Sequence, residues 1–100
     1  MNKPEEVAEW PFNAPKNLAV ITTKSIIRQG KPILTVSHDR DDGSRQFLDG
    51  TQPKTEEAMV VSLHEIAQHD PSIKALADLP AGWQAWRDTP TSAWRRGRHP

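Results

Sequence analysis

The sequence contains no cysteine, which excludes disulfides and cysteine-based zinc sites and is compatible with a reducing compartment. It has no excess charge either: 13 basic residues balance 13 acidic ones, whereas a dedicated nucleic-acid binder is expected to be strongly basic. No apolar run approaches the roughly 20 residues of a membrane span, and the N-terminus lacks the basic-then-apolar pattern of a signal peptide. We therefore expect a cytoplasmic protein that does not contact a membrane.

Motifs of common enzyme classes are also missing. The chain has no cysteine nucleophile, no G-x-S-x-G elbow and no glycine-rich phosphate loop. Scattered histidine, aspartate and serine residues have no spacing that would place them in one catalytic group. The sequence therefore indicates no catalytic residue and no cofactor, and it is silent on oligomeric state.

A chain of 100 residues has the length of one domain. Residues 1–17 contain three prolines, which remove backbone donors and disfavour helix, and this predicts an extended arm. In that arm Trp10 and Phe12 are expected to pack against the domain or against a partner. Residues 18–96 are predicted to form a single domain, and residues 97–100 a basic end.

Apolar alternation and turn residues predict most of the secondary structure. Residues 24–28 are ambiguous between strand and helix, because a short apolar run has no decisive period. Residues 58–61 are apolar on both faces, which predicts a central strand. The predicted strands cover residues 18–23, 33–38, 45–48, 58–61, 82–87 and 93–96.

Two capping patterns predict two short helices after residue 61. Ser62 and Glu65 form a capping box, and Asp70 followed by Pro71 is a second helix start. The predicted fold is α+β, with a mainly antiparallel sheet and two short helices between the central and C-terminal strands.

The densest group of potential ligands is His38 with Asp39, Asp41 and Asp42. Its acids do not have the order of an EF-hand loop, because no glutamate occupies the closing position. Asp42-Gly43 is a strong hairpin signal, and aspartate side chains bond nearby backbone N–H groups in turns. We interpret the group mainly as a hairpin turn that also offers a contact surface.

One histidine lies within the first capping pattern and a second follows it. His64 and His69 resemble a zinc-protease H-E-x-x-H motif but are five residues apart instead of four. On a helix of about 3.6 residues per turn they point about 140° apart. The sequence therefore predicts no metal site here.

The C-terminal quarter combines tryptophan with arginine. Such residues stack on bases and bind phosphates, and they are enriched at the centres of protein interfaces. Core packing is the ordinary alternative, and it is favoured for Trp83, whereas Trp86 and Trp94 are surface candidates. The segment comprises Trp83, Trp86, Arg87, Trp94, Arg95, Arg96 and Arg98.

Three stretches together resemble a known family. They are HDRDDGSRQFLDGT at residues 38–51, VVSLHEIAQHDPSIKALADLPAGWQAWR at residues 60–87, and the closing pair Trp94-Arg95. They resemble a family of small bacterial proteins of unknown function with the pattern HD-x-DG-x-W-QFLDG…DPS…LADLP-x-GW-x-AWR. A related family that shares the Asp-Gly-Trp turn and the DPSI segment is classed among immunity proteins of polymorphic toxin systems.

The resemblance covers residues 19–96 and implies a compact α+β domain in the bacterial cytoplasm. It supplies no catalytic residue. The sequence departs from the family pattern at Arg45, where the family has tryptophan, and a binding surface that used this tryptophan would be altered.

These observations favour a non-enzymatic protein-binding module, immunity-like or regulatory. One alternative is a small metal-dependent hydrolase that uses His38 with Asp39 or Asp41. Another is a single-stranded nucleic-acid binder that uses Trp86, Trp94 and the arginines at 95–98. The predicted contact residues for the protein-binding module are Asp39, Asp41, Asp42, Arg45, Trp86, Arg87, Trp94 and Arg95.

Overall fold

A computed structural model describes residues 10–99 of the chain. In this part, six strands form a single mixed sheet in the order β4-β1-β3-β2-β5-β6. The strands are β1 (Ala19–Thr23), β2 (Thr35–His38), β3 (Arg45–Leu48), β4 (Ala58–Ser62), β5 (Trp83–Trp86) and β6 (Arg95–Arg98). The helices are α1 (Lys24–Gln29) and α2 (Leu63–His69), with 3₁₀ helices at Thr55–Glu57 and Pro71–Leu76. The predicted α+β class with a mainly antiparallel sheet is confirmed.

The strand register aligns one row of side chains across the whole sheet. β2 and β3 form the predicted antiparallel hairpin, β5 pairs with β2, and β6 pairs with β5. Only the contact between β1 and β3 is parallel among the described strands. The aligned row contains Val60, Ile21, Gln46, Ser37, Gln84 and Gly97.

The core lies on one face of the sheet. Side chains alternate along a strand, so the neighbours of the aligned row point to the opposite face. There they pack against the helices in one hydrophobic cluster, and each buried leucine or isoleucine in it contributes about 1.5–3 kcal/mol. The strand members are Val20, Val36, Phe47, Val61 and Ala85, and the helical members are Ile26, Leu63, Ile66, Ala67, Ile73 and Leu76.

Side-chain caps fix where the helices begin. Thr23 accepts a hydrogen bond of 3.2 Å from the backbone N–H of Ile26, and Gly30 ends α1 with φ of 71°. The ambiguous residues 24–28 are therefore helical, because Thr23 ends the strand by capping the helix. The predicted caps further on are confirmed: Ser62 accepts from the N–H of Glu65 at 3.0 Å, and Asp70 accepts from Ser72 at 3.0 Å.

Two strand predictions need correction. β4 lies at an edge of the sheet and not at its centre, since it pairs with β1 alone among the described strands. Its Val60 is 67% exposed, so apolar residues on both faces did not signify burial on both faces. The last strand runs from Arg95 to Arg98 and not over residues 93–96, because Trp94 turns toward the helices instead of joining the ladder.

The described part of the N-terminal arm packs on the domain. Phe12 is buried in the core cluster and Trp10 packs against it. The indole N–H of Trp10 donates to the carbonyl of Ala14 at 2.9 Å, which folds the arm back on itself. The predicted arm also includes residues 1–9, which lie outside the described residues.

Candidate functional site: the open sheet face

The acidic turn between β2 and β3 is held by its own aspartates. One carboxylate oxygen of Asp39 accepts from the N–H groups of Asp41 at 2.7 Å and Asp42 at 3.3 Å. Asp42 in turn accepts from the N–H of Ser44 at 2.9 Å. The hairpin interpretation is confirmed, since these bonds are the ones that favour aspartate in turns.

Hydrogen bonds at both ends of β3 lower the pKa values of two carboxyl groups. The backbone N–H and the hydroxyl of Ser44 hydrogen-bond the carboxylate of Asp42 and hold its pKa below the ordinary value. At the other end of β3, the Thr51 hydroxyl lowers the pKa of Asp49 through a bond of 2.6 Å. Hydrogen bonds to the charged form favour it, so both carboxylates are ionised at neutral pH.

A cavity of about 310 Å³ opens beside the acidic turn. His38, whose ring Nδ1 lies 2.8 Å from the carbonyl oxygen of Leu79, forms part of its wall. The backbone N–H of His99 donates to the carbonyl of Gly82 at 2.7 Å, which holds the residue after β6 at the edge of this cavity. The residues that line the cavity are Ser37, His38, Asp39, Arg40, Asp41, Gln46, Gly82 and His99.

A second cavity, of about 460 Å³, continues along the same face of the sheet. It shares Ser37, Gln46 and His99 with the first and also reaches Gln84 and the turn at Gly50. Ser37, Gln46 and Gln84 stand side by side on β2, β3 and β5. Their side chains make no hydrogen bond with other residues of the described chain. We call the face formed by this row and the two cavities the open sheet face.

Arg45 lies on the covered face of β3 and not on the open sheet face. It is 9% exposed, its guanidinium carbon lies 5.5 Å from the centroid of the Phe12 ring, and its Nε has no hydrogen-bond partner within residues 10–99. Burial lowers the pKa of this guanidinium from its ordinary value. The residue at this position therefore contacts the N-terminal arm.

Arg87 joins three separate parts of the fold. Its Nε and one terminal nitrogen donate to the carbonyl of Ile33 at 3.0 and 2.9 Å, and that terminal nitrogen also pairs with Asp70 at 3.0 Å. Its guanidinium carbon lies 4.0 Å from the centroid of the Trp94 ring. The Trp94 indole N–H reaches the carbonyl of Ser72 at 3.3 Å. We call Arg87, Asp70, Ile33 and Trp94 the arginine clamp.

The remaining predicted contact residues lie near β6. Trp86 is on the open sheet face, and its ring covers Gly97 so closely that an added Cβ would lie 3.2 Å from the ring. Arg95 forms an exposed ion pair with Asp88 at 3.2 Å. Arg96 pairs with Asp78 at 2.6 Å and holds the pKa of that carboxyl below its ordinary value.

The structure divides six of the eight predicted contact residues into three groups, while Asp42 belongs to the acidic turn and Arg95 to an exposed ion pair. Asp39 and Asp41 line the open sheet face, and Trp86 lies on that face. Arg87 and Trp94 belong to the clamp, and Arg45 lies beneath the arm. Within residues 10–99, no three histidine, aspartate or glutamate side chains are grouped so that they could hold a metal ion.

Sequence reasoning did not identify Ser37, Gln46 and Gln84 as site residues. Alternation along a strand shows which residues of that strand share a face, but it does not show which face of the sheet lacks a helical layer. The signal that could have found them is the row of uncharged polar residues that alternates with Val36, Phe47 and Ala85.

No helix among residues 10–99 is long and apolar enough to cross a membrane. Comparison with known proteins found no matching family model, no matching curated protein and no matching solved structure.

Proposed function

We propose that the chain is a non-enzymatic protein-binding module of the bacterial cytoplasm, immunity-like or regulatory in role, whose partner docks on the open sheet face. The observation that carries the proposal is the row of Ser37, Gln46 and Gln84, whose side-chain hydrogen-bonding groups are unpaired within the described chain. A protein surface with matching donors and acceptors would satisfy them.

The charges around the face indicate the chemistry of that partner. Asp39 and Asp41 line the cavity at one end, and Asp49 flanks the turn at the other. Arg40, His38 and His99 are the basic residues of the first cavity. A partner with a polar centre and basic groups toward both turns would be complementary, and such complementarity speeds association and selects partners.

The resemblance to small bacterial proteins related to an immunity family supports the immunity-like form of the proposal. In that form of the proposal the chain needs a contact surface for its partner and no catalytic group.

The two alternatives have less support. For a metal-dependent hydrolase, His38 Nδ1 is engaged with Leu79 and Asp39 is engaged with the turn. For a single-stranded nucleic-acid binder, Arg95 and Arg96 are paired with aspartates, and one face of the Trp94 ring is covered by Arg87.

The test is co-purification of the tagged chain with the product of the adjacent gene, or with host lysate proteins if that product does not bind. The comparison is between wild type and Gln46→Lys/Gln84→Lys, which places two charges on the open sheet face. We expect the double variant to bind at least about tenfold more weakly, as for the loss of a central contact.

Gln29→Lys/Gln68→Lys is the matched control, because both glutamines are exposed and lie away from the open sheet face. Thermal unfolding of the three proteins checks that each is folded. Equal retention of the partner by wild type and the double variant would contradict the proposal, as would no partner for wild type.

A further inference from the structure

A separate cavity of about 520 Å³ lies on the helix-covered side of the sheet, between the N-terminal arm and α2. The arm forms one wall, and α2 with the following 3₁₀ helix forms the other. Its volume is within the range of small-ligand sites, about 300–1,000 Å³. The residues that line it are Trp10, Lys16, His64, Ala67, Gln68, Pro71 and Lys74.

The charged lining of this cavity has one sign. Lys16 and Lys74 contribute cations from opposite walls, and no carboxylate of the described chain lines it. Neither lysine forms an ion pair within residues 10–99. In a chain whose charges balance overall, two lysines that face one cavity without an ion pair among the described residues leave a local positive potential that an anion would neutralise.

The aromatic part of the cavity is held in place by the fold. Trp10 packs against Phe12, with 5.3 Å between ring centroids, and against His64 at 6.0 Å. Lys16 lies 5.7 Å from the centroid of the Trp10 ring. The backbone N–H of His64 donates to the carbonyl of Lys16 at 2.9 Å, which ties α2 to the arm. Such pre-organisation lowers the entropy lost when a ligand binds.

We propose that this cavity binds a small organic anion, a flat apolar body that bears a carboxylate or phosphate group. Lys16 and Lys74 bind the anionic group as point charges, the Trp10 indole contacts the apolar body, and Gln68 supplies a hydrogen-bonding amide. The site lies apart from the open sheet face and does not depend on the function proposed for that face.

The test is a titration of the isotope-labelled chain followed by NMR, with probes chosen to separate charge from shape. Adenosine 5′-monophosphate and indole-3-acetate supply a phosphate and a carboxylate on a flat ring, and adenosine and indole are their neutral counterparts. We expect at least one anion to shift the amide signals of Lys16, His64, Gln68 and Lys74. Its neutral counterpart should bind about tenfold or more weakly, since charge-assisted contacts are lost. The probe that binds, the phosphate or the carboxylate, identifies the anionic group that the cavity prefers.

Two double variants of equal net charge test whether the anion binds in this cavity. Lys16→Gln/Lys74→Gln should lose at least about tenfold in affinity for the anion, while Lys31→Gln/Lys54→Gln removes the same charge elsewhere and should bind like wild type. The proposal is overturned if neither anion shifts these signals at millimolar concentration, if the neutral probes bind equally well, or if the two double variants behave alike.

Discussion

The acidic turn at residues 38–44 and the tryptophan–arginine segment at residues 83–98 differ in how far their hydrogen bonds reach along the chain. Asp39 bonds backbone groups two and three residues away. Arg87 bonds Ile33, 54 residues away, and Asp70, 17 residues away. The turn therefore forms from hydrogen bonds between residues close in sequence, and it does not bond other elements of the fold through Asp39. The clamp, in contrast, forms only when the whole domain is folded. Polar residues that bond only near neighbours in sequence, as in the turn, remain available to a partner. Polar residues that bond distant parts of the chain, as in the clamp, stabilise the fold.

The largest expected effect is at the clamp. Arg87→Ala should lower the free energy of unfolding by about 3 kcal/mol or more, because Asp70 and the carbonyl of Ile33 lose their partner in a buried setting. The Arg87 side chain is 2% exposed. Chemical denaturation by urea gives the value.

Arg95→Ala is the control from the same segment. Arg95 and Asp88 form an ion pair that is 63% and 72% exposed, and such pairs contribute less than about 1 kcal/mol. Similar losses in the two variants would show that the clamp does not stabilise the fold in the way described.

A gain in stability is expected at the base of the acidic turn. Arg45→Met should raise the free energy of unfolding by about 1 kcal/mol, because it replaces a guanidinium whose Nε is buried without a hydrogen-bond partner among the described residues with an apolar chain of similar length. Arg40→Met, on the exposed part of the same hairpin, should change it by less than about 0.5 kcal/mol. A loss of stability in the Arg45 variant would mean that the guanidinium contributes favourably where it lies.

The turn itself should respond weakly. Asp39→Ala removes the acceptor for two backbone N–H groups, but both are exposed and water replaces it, so the expected loss is about 1 kcal/mol or less. Asp41→Ala is the matched control, because the Asp41 carboxylate accepts no hydrogen bond from the described residues. If Asp39→Ala destabilised the chain as much as Arg87→Ala, the contrast between local and long-range bonding would fail.

The smallest effect is the pH dependence from Asp42 and Asp49, whose pKa values are lowered in the fold. Their contribution is present above the unfolded pKa of about 3.9 and is lost as the pH falls through the folded value. In that interval the unfolded chain binds more protons, so stability decreases with falling pH. Asp42→Asn/Asp49→Asn should make this decrease shallower in urea unfolding at a series of pH values. An unchanged dependence of stability on pH would show that the hydrogen bonds to these two carboxylates do not stabilise the fold.

The same distinction explains what the sequence could predict. The hairpin at Asp42-Gly43 and the caps at Ser62 and Asp70 were predictable, because each depends on groups at most three residues apart. The edge position of β4 was not, because apolar residues on both faces do not reveal how many neighbours a strand has. The partners of Arg87 were not predictable either, because they come from loops distant in sequence.

The candidate site shows the same limit. The acids of the turn were recognisable from the sequence, but Ser37, Gln46 and Gln84 form a row only through the pairing of β2 with both β3 and β5. The helices cover the face on which Leu63, Ile66 and the residues after them pack. No local sequence pattern indicates which face that is.

The most direct test of the open sheet face is the NMR response of glutamine side-chain amides to a bound partner. These NH₂ signals report on individual side chains, and Gln46 and Gln84 lie on the face while Gln29 and Gln68 lie elsewhere. With the partner obtained by co-purification, we expect the Gln46 and Gln84 signals to shift or broaden while those of Gln29 and Gln68 keep their positions. Shifts at Gln29 or Gln68 with none at Gln46 and Gln84 would contradict it.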